Sequence, residues 1–226
     1  MSVVFVAGAG TDIGKTYVSA LACRQLRAAG RPVLALKPVA SGVPAVDDVE
    51  FASSDTARLL EAQGLPCSPA NVEACSPWRF IAPLSPDMAA AAEGRSIGLD
   101  ALLSWCRGRI AAAPTGATVL IEGVGGVMSP MTSDALNIDV IQGLGCPAIL
   151  VGGSYLGGIG HLLAAMEVLR GRGVGVKALV VNETKDSTVP LSETIACIRR
   201  YAGDIPTASL ERDASVFPQI SLLFND

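Results

Sequence analysis

The stretch Val3-Val4-Phe5-Val6-Ala7-Gly8-Ala9-Gly10-Thr11-Asp12-Ile13-Gly14-Lys15-Thr16 decides how this chain folds. Residues 3–7 are apolar at every position, as expected of a strand covered on both faces of a parallel sheet. Beyond the glycines, Val18, Leu21, Ala22 and Leu26 recur at helical spacing, and Gly30 with Pro32 ends that helix. A strand that passes through a glycine loop into Gly-Lys-Thr at a helix start is built for phosphate. Backbone N–H groups from Gly10, Thr11, Asp12, Ile13 and Gly14 converge on the anion, and the helix dipole favours its charge. Lys15 then reaches the β- and γ-phosphates, and the Thr16 hydroxyl ligates Mg²⁺.

The common form of such a loop has its first glycine where this chain has Ala9, with Gly8 and Gly10 on either side. A dinucleotide loop is the competing reading of Gly8-Ala9-Gly10. It is opposed by the displacement of the third glycine to Gly14, and by Lys37 at the end of the second strand, where a ribose-binding acid would stand.

Outward from the loop, apolar runs alternate with helical patterns, the signature of βαβ units around a mainly parallel sheet. Val33–Leu36 reads as a short strand that delivers Lys37-Pro38, and further strands are expected at 119–121, 148–151 and 178–181. Helices are expected at 55–63, 99–112, 135–142, 159–170 and 191–201. Between 41 and 98 the pattern weakens into Pro, Ser and Ala with short helical pieces. That segment reads as a pocket-shaping insertion in one ATP-binding domain spanning 1–226. Trp78 and Trp105 read as packing residues.

Half of the residues are apolar, yet no run approaches the roughly 20 needed to cross a bilayer, so a soluble protein with no membrane partner is expected. A cleavable signal would remove the loop, which points to the cytoplasm. The net charge of −4, without clustered Lys and Arg, argues against a nucleic-acid partner. The six cysteines are widely spaced with no CxxC pair and read as reduced packing residues. His161, the only histidine, cannot make a multi-His metal site and reads as a local packing or capping residue.

Magnesium needs oxygen ligands beyond phosphate and one hydroxyl, so carboxylates are expected at the ends of neighbouring strands. Glu122 closes an apolar strand and precedes Gly123-Val124-Gly125-Gly126, the place for a metal-side acid. Asp55, in Ser53-Ser54-Asp55, reads either as a second such acid or as an ordinary helix N-terminal residue. Lys37 reads either as a strand-end lysine reaching solvent or, at the carboxyl edge beside the phosphate loop, as a substrate contact.

Together these residues resemble the dethiobiotin synthetase family, ATP-dependent enzymes that close a ureido ring on 7,8-diaminononanoate with CO2. The likeness spans nearly the whole chain. It lies in Gly8-x5-Gly14-Lys15-Thr16 with Thr11 inside the loop, Lys37-Pro38-Val39-Ala40-Ser41-Gly42, Ser54-Asp55, Glu122-Gly123-Val124-Gly125-Gly126, Leu156-Gly157-Gly158-Ile159 and Val181-Asn182. The resemblance implies a P-loop NTPase-type three-layer α/β fold and a homodimer. It also implies that Lys15 and Lys37 polarise phosphate and carbamate oxygens, that Thr16, Asp55 and Glu122 surround Mg²⁺, and that Thr11 and Ser41 hold the substrate end. Gly125 and Asn182 would belong to the nucleotide site, with Asn182 reading adenine.

Three departures stand out. The family's Gly-Thr-Asp-Thr is Gly8-Ala9-Gly10-Thr11 here, its Pro-His pair is Pro86-Asp87, and its Lys-Leu-Gly-x-Ile-Asn-His is Tyr155-Leu156-Gly157-Gly158-Ile159-Gly160-His161. Two rival functions are a related P-loop amidoligase acting on another substrate and a nucleotide-gated partitioning ATPase. The latter class usually carries an extra loop lysine near Ala9 or Gly10, which this chain lacks.

Overall fold

A computed structural model describes residues 1–185 and 187–224. Along β1 (Ser2–Gly8), Val4 and Val6 enter one buried cluster while Phe5 and Ala7 enter another, the period-two alternation of a strand with both faces covered. Among the described residues the other strands are β2 (Val33–Leu36), β3 (Val39–Ser41), β4 (Trp78–Phe80), β5 (Thr118–Glu122), β6 (Ala148–Gly153), β7 (Val176–Asn182) and β8 (Thr207–Leu210). The helices are α1 (Lys15–Ala28), α2 (Asp55–Ala62), α3 (Pro69–Cys75), α4 (Pro86–Ala92), α5 (Leu99–Ala111), α6 (Asn137–Leu144), α7 (Gly158–Gly171), α8 (Leu191–Ala202) and α9 (Ile220–Phe224).

Parallel neighbours need a crossover between them, and the crossovers supply the outer layers. The main sheet has six strands in the order β2-β5-β1-β6-β7-β8, every pairing parallel. Residues of α5, α6, α7 and α8 fill the cluster on the Phe5 face. Those of α1, α2, α3 and α9 fill the one on the Val4 face. This is the expected three-layer α/β fold, and it brings the carboxyl ends of β1, β2, β5 and β7 to one edge. The chain changes direction around β1 there, which is where open α/β sheets bind ligands.

The structure corrects some of the expected elements. Segment 41–98 is more ordered than its composition suggested: β3 and β4 pair in parallel as a second small sheet, with Val39 opposite Trp78 and Ser41 opposite Phe80. Trp78 meets Trp105 edge to face, with centroids 6.0 Å apart. The helix expected from 135 starts at Asn137, because Thr132 Oγ1 accepts from the Ala135 N–H to make a turn and Asp139 accepts from the Leu136 N–H. Strand β8 was not anticipated; its four residues follow Pro206 and are too short for a periodic signal.

The same segment also closes an edge. Strand β2 is the last in its sheet, and an unpaired strand edge needs cover. Gln63, just beyond α2, supplies it: its Oε1 accepts from Ala35 N and its Nε2 donates to Ala35 O, both at 2.9 Å. One amide thus stands in for a neighbouring strand. Gln63→Ala is expected to cost about 2 kcal/mol in urea unfolding, because the buried Ala35 N–H loses its partner and Ala35 O keeps only the weak Cys75 thiol. Glu61→Ala, on the same helix with a side chain 72% exposed, should stay within about 0.5 kcal/mol.

Candidate active site

The phosphate loop is held open by two glycines whose places admit no side chain. A Cβ on Gly8 would lie 2.9 Å from each of Gly10 O, Gly125 O and Lys15 Cδ. Gly14 has φ +87°, and a Cβ there would meet the Asn182 amide at 2.3 Å. Ala9 is partly buried and is accommodated by packing against both core clusters. Helix α1 starts at Lys15, whose ammonium donates to Gly10 O at 2.8 Å.

Lys37 follows β2 and is only 4% exposed. Register explains its partner: Leu36 lies opposite Ile121, so the next residues on the two strands, Lys37 and Glu122, emerge side by side. Lys37 Nζ is 2.7 Å from Glu122 Oε1 and 2.5 Å from Asp55 Oδ2, while the Thr16 hydroxyl donates to the same Glu122 oxygen at 2.5 Å. Asp55 takes the helix-start place that one of its two readings gave it. It is the first residue of α2, behind the Ser54 N-cap, and it is part of this cluster.

The charges follow from these contacts. Burial alone would lower the Lys37 ammonium, but Glu122 and Asp55 outweigh it and hold its pKa above the usual lysine value. Lys15 moves the other way: burial, then the neighbouring Lys37 charge, brings it down to about 8 against the opposing pull of Glu122 and Asp55. Burial would raise the Asp55 carboxyl, yet Lys37, by charge and hydrogen bond, leaves it below the normal carboxylate range.

A cavity of about 270 Å³ collects most of the expected residues: Thr11, Lys15, Thr16, Lys37, Ser41 and Asp55, with Asp12, Gly14 and Gly125 at its margins. Glu122 lies beneath it, bonded to Thr16 and Lys37. Its Oε2 is buried and has no hydrogen-bond partner. Asn182 stands apart, in a second cavity of about 450 Å³ beside Ile13 and Gly14. Its Nδ2 donates to Ile13 O at 2.6 Å and its Oδ1 is buried without a partner. Gly10 faces a third hollow with Tyr155 and His161. His161 is exposed, and its Nδ1 is 2.8 Å from the Tyr155 hydroxyl, a local pairing at the start of α7.

Some residues of the site were not anticipated. Tyr17, Arg58 and Val124 also line the first cavity. Arg58 had a readable signal, since three residues after Asp55 on a helix is the same face. Asn137, fully buried on α6, was missed because nothing local marks it. Its Nδ2 donates to Val124 O and Gly126 O, which fixes the glycine turn after Glu122.

Residues 2–216 match the AAA domain family. The chain is 55% identical to the ATP-dependent dethiobiotin synthetase BioD of Methylobacterium nodulans, over 90% of each chain. It is 45% identical to the enzyme of that name from Phenylobacterium zucineum, over 94% of this chain and 90% of that one. Among solved structures it resembles a ParA family ATPase from Chlorobium tepidum, with TM-score 0.52, 14% identity and coverage of 98% and 89%. It also resembles the septum site-determining protein MinD of Pyrococcus horikoshii, with TM-score 0.50, 17% identity and coverage of 93% and 81%. At such low identity these two likenesses concern the fold.

The ion cluster makes a stability test. Lys37→Met leaves Glu122, 1% exposed, with its charge uncompensated, and is expected to cost about 3 kcal/mol in denaturant unfolding. The double variant Lys37→Met/Glu122→Gln should recover part of that loss. A Lys37→Met protein as stable as the parent would mean that the pair does not bear on folding.

Proposed function

This chain belongs to the ATP-dependent dethiobiotin synthetase family, and from that premise we propose how its own residues carry the reaction. The reaction closes a ureido ring on 7,8-diaminononanoate with CO2 and ATP, giving dethiobiotin, ADP and phosphate. The observation that supports the assignment of roles is the convergence of Lys15, Thr16, Lys37 and Asp55, with Glu122 beneath them, on a cavity that also holds Thr11 and Ser41.

One substrate amine captures CO2 as a carbamate. A carbamate oxygen attacks the γ-phosphorus of ATP, the bond from phosphorus to the ADP oxygen breaks, and a carbamic-phosphoric anhydride forms. The second amine then attacks its carbonyl carbon; phosphate leaves, the attacking nitrogen loses a proton, and the ring is closed. The attacking groups are already nucleophiles, so the barrier is charge crowding and alignment, which call for cations and hydrogen-bond donors. Lys15 and the loop N–H groups hold the β- and γ-phosphates. Lys37 places its ammonium against the carbamate and the transferring phosphoryl group. The hydroxyls of Thr11 and Ser41, which line the same cavity, orient the diamine.

The donor set fits Mg²⁺: Thr16 Oγ1, Asp55 and Glu122 offer hard oxygen ligands, and Glu122 Oε2 is a buried acceptor lacking a partner. These residues would hold the ion, which when bound neutralises phosphate charge. Gly125 borders the phosphate cavity, and Asn182 Oδ1 has an acceptor for an adenine amino group. We take the protein to be a homodimer in the cytoplasm. Half-exposed Met128 beside an apolar hollow that includes Ala164, Ala165 and Val168 supports the first. Six free cysteines suit a reducing compartment.

Incubation with ATP, Mg²⁺, bicarbonate and 7,8-diaminononanoate is expected to release phosphate only when the diamine is present, with a cyclic urea seen by mass spectrometry. Diamine-independent phosphate release without the urea would sink the reading. Lys15→Ala should lower turnover by about 100-fold or more while the far-UV circular dichroism is unchanged.

A further inference from the structure

The phosphate cavity and the cavity beside Asn182 share four lining residues: Asp12, Gly14, Tyr17 and Arg58. These form the saddle between the two. A nucleotide with its phosphates on the loop and its base beside Asn182 crosses that saddle with its α-phosphate and ribose. Arg58 is the cation of the shared set, carried on α2 one helical turn beyond Asp55. Its neighbours on the helix are engaged elsewhere, Asp55 with Lys37 and Glu61 with Arg24. Among the described residues the exposed Arg58 guanidinium has no ion-pair partner.

The charge balance of the first cavity shows what such a cation would do. Lys37 is offset by Asp55 and Glu122, which leaves Lys15 as the other lysine facing a polyanionic triphosphate. Asp12, on the saddle, adds repulsion. We propose that Arg58 is a nucleotide-binding residue that closes over the α- and β-phosphates from the α2 side, opposite the N–H groups of the loop. A guanidinium suits that place, because its planar fork takes phosphate oxygens in pairs and keeps its charge at any working pH. The contact is to phosphates that ADP retains, so it acts alike before and during phosphoryl transfer. The inference rests on the nucleotide site described above.

Titration calorimetry with ADP and Mg²⁺ tests it on the whole chain. Arg58→Ala is expected to weaken ADP binding about tenfold, and Arg58→Lys to recover part of the loss. The gap should narrow in about 0.5 M salt, which screens an exposed charge pair. In turnover, KM for ATP should rise by a similar factor with kcat little changed. The melting temperature without nucleotide should not move, because the side chain is exposed and unpaired. Parental binding of ADP with an unaffected Arg58→Ala variant overturns this proposal alone, as does a fall in kcat at unchanged KM for ATP. A parental protein that binds no ADP overturns the nucleotide site and the proposal together.

Discussion

A lysine ammonium that is 4% exposed is tolerable only beside opposite charge, and the site is arranged around that requirement at Lys37. Its partners come from elements distant in sequence: Glu122 from the end of β5 and Asp55 from the start of α2, with Thr16 of α1 bonded to the same Glu122 oxygen. The cluster therefore exists only if the sheet edge, the insertion and the phosphate loop are all in place. Parallel register brings Lys37 and Glu122 together, and a slip of one residue would turn Glu122 to the opposite face of the sheet. Folding and site assembly are thus one event here.

How much of this could be read from the sequence depends on how local each signal was. Strand β1, the loop and α1 were legible because an apolar run, a glycine turn and Gly-Lys-Thr lie within a few turns of chain. Lys37 and Glu122 were legible as strand-end residues, but that they share an ion pair depends on the order β2-β5-β1, which no local pattern encodes. The pairing of β3 with β4 was hidden for the same reason: each strand is three residues long, and 36 residues separate Ser41 from Trp78. Asn137 buttresses the glycine turn from α6 and looks in sequence like any helix-start asparagine.

The loop shows how a departure from a pattern can leave its physics intact. What the backbone needs is space where Gly8 passes Gly10, Gly125 and Lys15, and a left-handed turn at Gly14. Both are met. Ala9 is partly buried, and its methyl group packs against both core clusters. The position of the glycine in the motif matters less than which residue is crowded.

The likeness to ParA and MinD proteins at 14% and 17% identity concerns the fold, and a fold does not by itself fix a reaction. A parallel sheet with a phosphate loop at its turning point offers every such protein the same cradle. What this chain adds to that cradle comes after β2: Lys37 comes directly off the strand, Ser41 ends β3, and Asp55 begins α2, so one short segment adds a cation, a hydroxyl and a carboxylate to one cavity. That segment would drift from the sheet if nothing tied it down. The Gln63 amide on the edge of β2 and the Lys37 ion pairs with Asp55 and Glu122 fasten it to the body. A reaction governed by charge placement needs such fixed positions, because a cation free to move with the phosphoryl group would lose its preference for the transition state over the ground state.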